Sequence, residues 1–113
     1  MDQDRADELF AAFGTVRVKR MFGGFGIQAD GLMLALEARD ALYLKCGDCD
    51  AAAFEAEGCE PFAYDAKGGR RVVTSYRRAP ERLLDDPDEM AAWARRALEA
   101  ARRSAARKSG KKS

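Results

Sequence analysis

The chain has 113 residues, of which 47% are hydrophobic and 35% charged, a composition that predicts a single globular domain. Its formal net charge is +1 and it contains no histidine, which removes the commonest general base and the commonest zinc ligand. No apolar run approaches the ~20 residues of a membrane span, and the acidic start is unlike a signal peptide, so we expect a cytoplasmic protein without a membrane partner.

The first helix is predicted over residues 4–13, with Asp2 or Asp4 as its N-cap and Gly14 at its end. Four apolar residues with the i, i+3, i+4, i+7 spacing define its buried face: Ala6, Leu9, Phe10 and Phe13. This stripe needs a sheet to cover it.

A run of strands follows, beginning with Val16 and Val18 alternating with cations. Glycine tolerates positive φ and close backbone approach, so Gly23-Gly24 predicts a reversal or bulge, and Gly26 keeps the returning strand slim. Asp30-Gly31 and Arg39-Asp40 predict the next two turns. The result is a four-stranded meander.

The alternation within the last two of these strands predicts which face packs on the helices. One face carries Leu32, Leu34, Leu36, Leu42, Leu44 and Cys46, and the other carries Met33, Ala35, Glu37, Tyr43 and Lys45. We expect the leucine face to meet the helices.

The second half of the chain predicts a short helix over about 49–57, capped by Asp48 or Asp50, and then a hairpin over 61–76. Pro80 begins a loop or a single helical turn, and Asp86-Pro87 begins the final helix. Its apolar stripe is Met90, Trp93, Ala94, Ala97, Leu98, Ala101 and Ala105.

These elements predict a two-layer α+β fold with a mainly antiparallel sheet, in the order α-β-β-β-β-α-β-β-α. The domain covers residues 1–107, and the polar stretch 108–113 is expected to be a disordered basic tail.

The three cysteines, Cys46, Cys49 and Cys59, cannot all pair with one another, which favours a reducing compartment. Cys46 and Cys49 have redox or metal spacing, but a zinc site needs four ligands and only Cys59 and a carboxylate are available to complete it. We therefore expect structural thiols, and neither a metal nor a cofactor.

The glycine stretch 23–26 also invites comparison with a phosphate-binding loop. Such loops need a helix N-terminus behind them, whereas a hairpin follows here, and no Gly-Lys-Ser/Thr ending is present. The stretch is interpreted as a structural bend.

Cations interleaved with aromatic side chains mark the main candidate binding surface, which can be either an anion or partner site or a set of solvated strand edges. The candidate partner- or ligand-binding residues are Lys19, Arg20, Met21, Phe22, Gly23, Gly24, Tyr43, Lys45 and Tyr76. No catalytic residue is expected.

A second candidate surface is the basic C-terminus, since the body of the chain, residues 1–101, carries 14 basic and 19 acidic residues. It can be a nucleic-acid handle or a solubility tail. Its cations are Arg102, Arg103, Arg107, Lys108, Lys111 and Lys112.

Several fragments, in order and spacing, resemble the N-terminal domain of the TfoX/Sxy family of bacterial regulators. They include residues 20–26, Asp30-Gly31, residues 42–45, 54–58, 61–64, Ser75-Tyr76, Pro80-Glu81, Asp86-Pro87, Trp93-Ala94 and Ala97-Leu98. The resemblance covers about Ala6 to Arg103.

This resemblance implies a fold of the secretion-chaperone-like kind and a connection to transcription. Full-length TfoX proteins regulate natural competence positively, act with the cAMP receptor protein, and carry a second, C-terminal domain to which no stretch of this sequence is expected to correspond. Members are often dimeric, so a second copy of the chain is one expected partner.

Three hypotheses about function follow. The first is a non-catalytic regulatory or adaptor module that acts through contacts with a protein of the transcription machinery or a regulator. The second is a ligand-binding or enzymatic domain with its pocket beside Lys19–Gly26, for a small anion. The third is an accessory nucleic-acid binder that uses the basic tail.

Overall fold

The computed structural model describes residues 1–21 and 24–110. Three α-helices in this part of the chain are α1 (Gln3–Leu9), α2 (Ala51–Ala56) and α3 (Pro87–Gly110). The strands are β1 (Arg17–Met21), β2 (Gly24–Ala29), β3 (Leu32–Ala38), β4 (Ala41–Lys45), β5 (Pro61–Asp65) and β6 (Arg71–Arg78). This order confirms the predicted α+β succession.

The six strands form one antiparallel sheet in the spatial order β1-β2-β3-β4-β6-β5. The predicted meander β1 to β4 and the predicted hairpin β5–β6 are both present. The two parts join because β6 pairs with β4, with Lys45 opposite Tyr76, and this places β5 at the sheet edge.

A bulge in β3 changes which side chains face the helices. Ile27 pairs with Ala35, but the next residue, Gln28, pairs with Met33, so Leu34 is an extra residue in β3. Leu34 and Ala35 are both fully buried as a result, and Leu36 lies with Met33 on the other face. The prediction that Leu36 faces the helices and Ala35 faces away is wrong for this reason.

The helices cover one face of the sheet. Ile27, Leu34 and Leu44 are fully buried beneath Phe10, which follows α1, and Met90 of α3. The small Ala94 and Ala97 let α3 approach the strands closely, as the predicted stripe requires.

Two of the three predicted helix caps are confirmed. The Asp2 carboxylate accepts a hydrogen bond from the Arg5 amide at 2.8 Å, and the Asp86 carboxylate accepts one from the Glu89 amide at 3.1 Å. Asp50 stands at the predicted N-cap position of α2, but it makes no cap hydrogen bond there, because its carboxylate pairs with Arg96 of α3.

The helix α3 continues to Gly110, and residues 111–113 lie outside the described residues, so the predicted domain end and tail disorder stay predictions. Within the described chain, no helix is both long and apolar enough to cross a membrane.

Candidate functional site: an apolar groove on the open face of the sheet

The face of the sheet that the helices leave open carries an apolar groove. The β3 sequence is apolar at each position from Leu32 to Leu36, so its side chains supply apolar surface on both sides of the sheet. The groove has a volume of about 650 Å³. Its lining residues are Met21, Gly24, Phe25, Met33, Leu36, Glu37, Ala38, Arg39, Phe62, Tyr64, Thr74 and Tyr76.

Two glycines of β2 give the groove its depth. A Cβ on Gly26 would lie 2.7 Å from the Sδ atoms of both Met21 and Met33, so these thioethers pass directly over the bare backbone. A Cβ on Gly24 would collide with the carbonyl oxygen of Glu37. The prediction that Gly26 keeps its strand slim, so that neighbouring side chains can pass close to its backbone, is confirmed.

The predicted chain reversal at Gly23-Gly24 falls at the edge of the described residues. Met21 at the end of β1 pairs with Gly24 at the start of β2. Phe22 and Gly23 lie outside the described residues.

Aromatic side chains of the edge strand β5 form one wall. The ring centroid of Phe62 lies 4.8 Å from that of Tyr43 and 6.2 Å from that of Tyr64. The Arg39 guanidinium lies 5.7 Å above the Phe62 ring, a cation–π distance. A cation therefore stands at the rim of the apolar wall.

The hydroxyl groups of the groove are engaged by the backbone. The Tyr76 hydroxyl donates to the Met33 carbonyl at 3.2 Å, and the Thr74 hydroxyl donates to the Phe62 carbonyl at 2.8 Å. Burial raises the pKa of Tyr76 to about 12, so its hydroxyl stays a donor at neutral pH. The Lys45 ammonium lies 5.1 Å from the Tyr76 ring centroid.

The structure brings some of the predicted binding residues together at the groove. Met21, Gly24 and Tyr76 line it, and Tyr43 and Lys45 contact its aromatic rings. Lys19 is exposed on the same side of β1 as Met21, whereas strand alternation places Arg20 on the other side.

Nine lining residues were not among the predicted candidates: Phe25, Met33, Leu36, Glu37, Ala38, Arg39, Phe62, Tyr64 and Thr74. A signal for the apolar residues of β3 and β5 was present, because β3 is apolar at successive positions and β5 carries alternating aromatic residues. Such patterns indicate that both sheet faces need a partner surface.

The described candidate nucleic-acid residues, from Arg102 to Lys108, lie on α3. Arg102 pairs with Asp30 at 2.7 Å and with Glu99 at 3.4 Å, and Arg103 pairs with Asp50 at 3.7 Å. Arg107 is exposed on α3, Lys108 follows it on the same helix, and Lys111 and Lys112 lie outside the described residues.

The three cysteines are free, and each has a different environment. Burial is the main cause that raises the pKa values of the Cys46 and Cys59 thiols. Cys49 is exposed, with its sulfur 3.3 Å from the Arg103 guanidinium. Among residues 1–21 and 24–110, no group of three His, Cys, Asp or Glu side chains is placed to hold a metal ion.

The fold and the groove define a small α+β domain in which one sheet face builds the core and the other offers an apolar surface. The family model of the TfoX N-terminal domain matches residues 8–101. The chain therefore belongs to the TfoX N-terminal domain family, as the sequence fragments predict. A comparison with curated proteins finds no match.

Proposed function

We propose that this protein is a non-catalytic regulatory or adaptor module that acts in the cytoplasm through protein contacts made at the groove. Membership of the TfoX N-terminal domain family supports a regulatory role. The single observation that carries the proposal is the open apolar sheet face, on which Met21 and Tyr64 remain 40% and 42% exposed. Three free cysteines are compatible with a reducing compartment.

The chemistry of the groove supports the non-catalytic part of the proposal. Its Thr74 and Tyr76 hydroxyls are bonded to backbone carbonyls, and the N-terminal ammonium of Met1 holds the Glu37 carboxylate at 2.6 Å. The sequence contains no histidine to serve as a base. We infer that the groove binds and does not react.

A small anionic ligand is the second candidate for this site. The observation that favours it is the volume of the groove, which falls within the roughly 300–1,000 Å³ typical of ligand pockets, together with Arg39 at the rim. Thermal-shift measurements with nucleotides and small carboxylates test this candidate directly. Stabilisation that Arg39→Gln abolishes would favour a ligand over a protein partner.

The test of the adaptor role is complementation of a deletion strain, with transcript levels as the readout. We expect the wild-type gene and Val73→Asp to restore the transcript profile, and Tyr64→Asp to fail. Tyr64 lines the groove, whereas Val73 is 62% exposed on the opposite face of the neighbouring strand β6, so the control adds the same charge away from the groove. A deletion that leaves transcripts unchanged would refute the regulatory role.

A further inference from the structure

We propose that the groove binds an acidic peptide segment of a partner protein, in which bulky apolar side chains are flanked by carboxylates. This inference rests on the proposed function and specifies the occupant. It is carried by the volume and lining of the groove and by the charge of the surrounding sheet face.

The charged side chains on the groove's face of the sheet have one sign. Strand alternation places Arg17 and Lys19 on the side of Met21, and Arg78 on the side of Tyr76. The Lys45 ammonium also stands over the Tyr76 ring. Within the bounds of the six described strands, alternation places no Asp or Glu on this face.

The acidic groups nearest the groove do not cancel this charge. Glu37 lines the groove, but its carboxylate is held by the Met1 ammonium at 2.6 Å. Asp40 shares the β3–β4 turn with Arg39, and of these two residues it is Arg39 that lines the groove. A partner that carries carboxylates is therefore complementary to this face.

The spread of the cations favours a chain with several carboxylates over a small molecule. Arg17 lies on β1 and Arg78 on β6, four strand spacings apart in the sheet order, which corresponds to about 19 Å. A single small carboxylate can meet only one of these cations at a time. A peptide can meet several.

The lining favours apolar anchors over nucleic-acid bases. The thioethers of Met21 and Met33 are flexible and adapt to side chains of different shape. Flat stacking platforms are few, because the Tyr43 ring is 9% exposed and Tyr76 is half-buried, which leaves Tyr64 as the exposed aromatic among the described lining residues.

A second copy of this chain is a poorer occupant. Face-to-face contact of two grooves would bring Arg17 and Lys19 near the like-charged groups of the other copy. The outer side of α3 carries Arg95, Arg96 and Arg103. Its Glu89 and Glu99 are already paired with Arg82 and Arg102, so this helix is not a predominantly acidic surface.

The test is selection from a phage-displayed library of random peptides of about 12 residues, a length that as a helix covers the roughly 20 Å from Met33 to Arg39 along the sheet. We expect the selected peptides to be enriched in Asp or Glu beside Leu, Phe, Met or Trp. The binding of one selected peptide, made synthetically, is then measured by fluorescence anisotropy.

The variants localise and explain the binding. We expect Tyr64→Asp, Met21→Asp and the double variant Arg17→Glu/Lys19→Glu each to weaken the peptide at least about tenfold. The controls Val73→Asp and Arg95→Glu should change binding by less than about twofold. Far-UV circular dichroism and urea unfolding identify any variant that fails to fold. If either Tyr64→Asp or Met21→Asp fails to fold, the other still tests the apolar site.

Several outcomes would overturn the inference. In the selection, these are the enrichment of basic peptides or the enrichment of no peptide. In binding and sedimentation measurements, they are saturable binding of decanoate or a thymidine oligonucleotide at the groove without peptide binding, or a dimer that Tyr64→Asp dissociates. If peptides fail while Tyr64→Asp still abolishes complementation, the adaptor role stands and the acidic occupant falls. If Tyr64→Asp complements fully, the role of the groove falls as well.

Discussion

The two faces of the single sheet are built from similar apolar residues and end in opposite states. On the helix side, Leu34 and Leu44 are fully buried under α3 and the residues that follow α1. On the open side, Met33 and Leu36 of the same β3 strand line a groove and keep part of their surface in solvent. Burial on the first face stabilises the fold, whereas exposure on the second leaves apolar surface for a partner.

The charges of the two faces differ in the same way. On the helix side, Arg82 pairs with Glu57 and Glu89, and Arg96 pairs with Asp50. On the open side, Arg17 and Lys19 have no ion pair within 4 Å among the described residues. Charge on the helix side fixes one element against another, whereas the charge of Arg17 and Lys19 on the open side is available to a partner.

The largest expected difference between the faces is in packing. Leu44→Ala should lower the free energy of unfolding by about 3 kcal/mol, because it opens a cavity in a fully buried site. Leu36→Ala should cost about 1 kcal/mol, since its neighbourhood is already open to solvent on one side. Urea unfolding of both variants measures the difference.

Leu84→Ala serves as the baseline for these two leucines, because Leu84 is 37% exposed in the helical turn after β6 and belongs neither to the core cluster nor to the groove lining. A cost at Leu36 equal to that at Leu44 would mean that the open face is part of the core, and the division between the faces would fail.

The next effect concerns the buried carboxylate of Asp50, whose side chain is 6% exposed. It accepts from the Arg96 Nε atom at 3.0 Å and lies 2.8 Å from its Nη2 atom, which ties α3 to the segment before α2. Asp50→Asn should lower the free energy of unfolding by about 1 to 2 kcal/mol, because the exposed half of Arg96 screens the pair.

Two substitutions that neutralise other charges provide the comparison. Asp48 is exposed and two residues from Asp50, and Lys19 lies on the open face. Asp48→Asn and Lys19→Gln should therefore each change the free energy of unfolding by less than about 0.5 kcal/mol. A loss at Lys19 that matched the loss at Asp50 would show that the open-face cations have partners in the fold.

Local signals in the sequence account for most of the fold. The Asp2 and Asp86 caps, the Asp30-Gly31 turn and the alanine stripe of α3 are each determined by neighbours a few residues away. Short-range chemistry of this kind can be inferred from a single chain.

Long-range contacts are what the sequence could not supply. The bulge at Leu34 depends on the register between β2 and β3, the partner of Asp50 is 46 residues away, and β6 joins the sheet beside β4. The groove depends on all of these, because Phe62 meets Tyr43 only after β6 has taken its place. The candidate residues Met21, Gly24 and Tyr76 were therefore predicted from pattern. The apolar pattern of β3 and β5 indicated a second buried surface, but it did not show that these strands line one groove.

A smaller effect, confined to the helix side, is a dependence on pH. Hydrogen bonds from Arg82 are the main cause that lowers the pKa values of Glu57 and Glu89. Lowered carboxyl pKa values contribute stability above the ordinary value of 4.5, and this contribution is lost as the pH falls through the lowered values. The difference in melting temperature between wild type and Arg82→Gln should therefore shrink below pH 4.5.

Arg5→Gln is the matched control for this series, since Arg5 pairs with the single exposed carboxylate of Glu8. The substitution removes the same charge, but the Arg5–Glu8 pair lies within one helix and does not connect two elements. A melting difference for Arg82→Gln that stays constant down to full acid unfolding would contradict the role of the two glutamates.

The smallest expected effect tests whether the open face is ordered without a partner. Burial raises the pKa of Tyr76 to about 12, so this phenol should ionise late in a titration followed by phenolate absorbance, and Tyr76→Phe should remove that late phase. A raised phenol pKa contributes stability that is present below the unfolded value near 10 and is lost as the pH rises toward 12. At neutral pH the variant should lose about 1 kcal/mol, because the hydrogen bond to the Met33 carbonyl disappears. Tyr64→Phe, on the exposed wall, should keep the late phase, and a wild-type protein whose tyrosines all ionise near pH 10 while it remains folded would mean that the groove is loosely packed in the free protein.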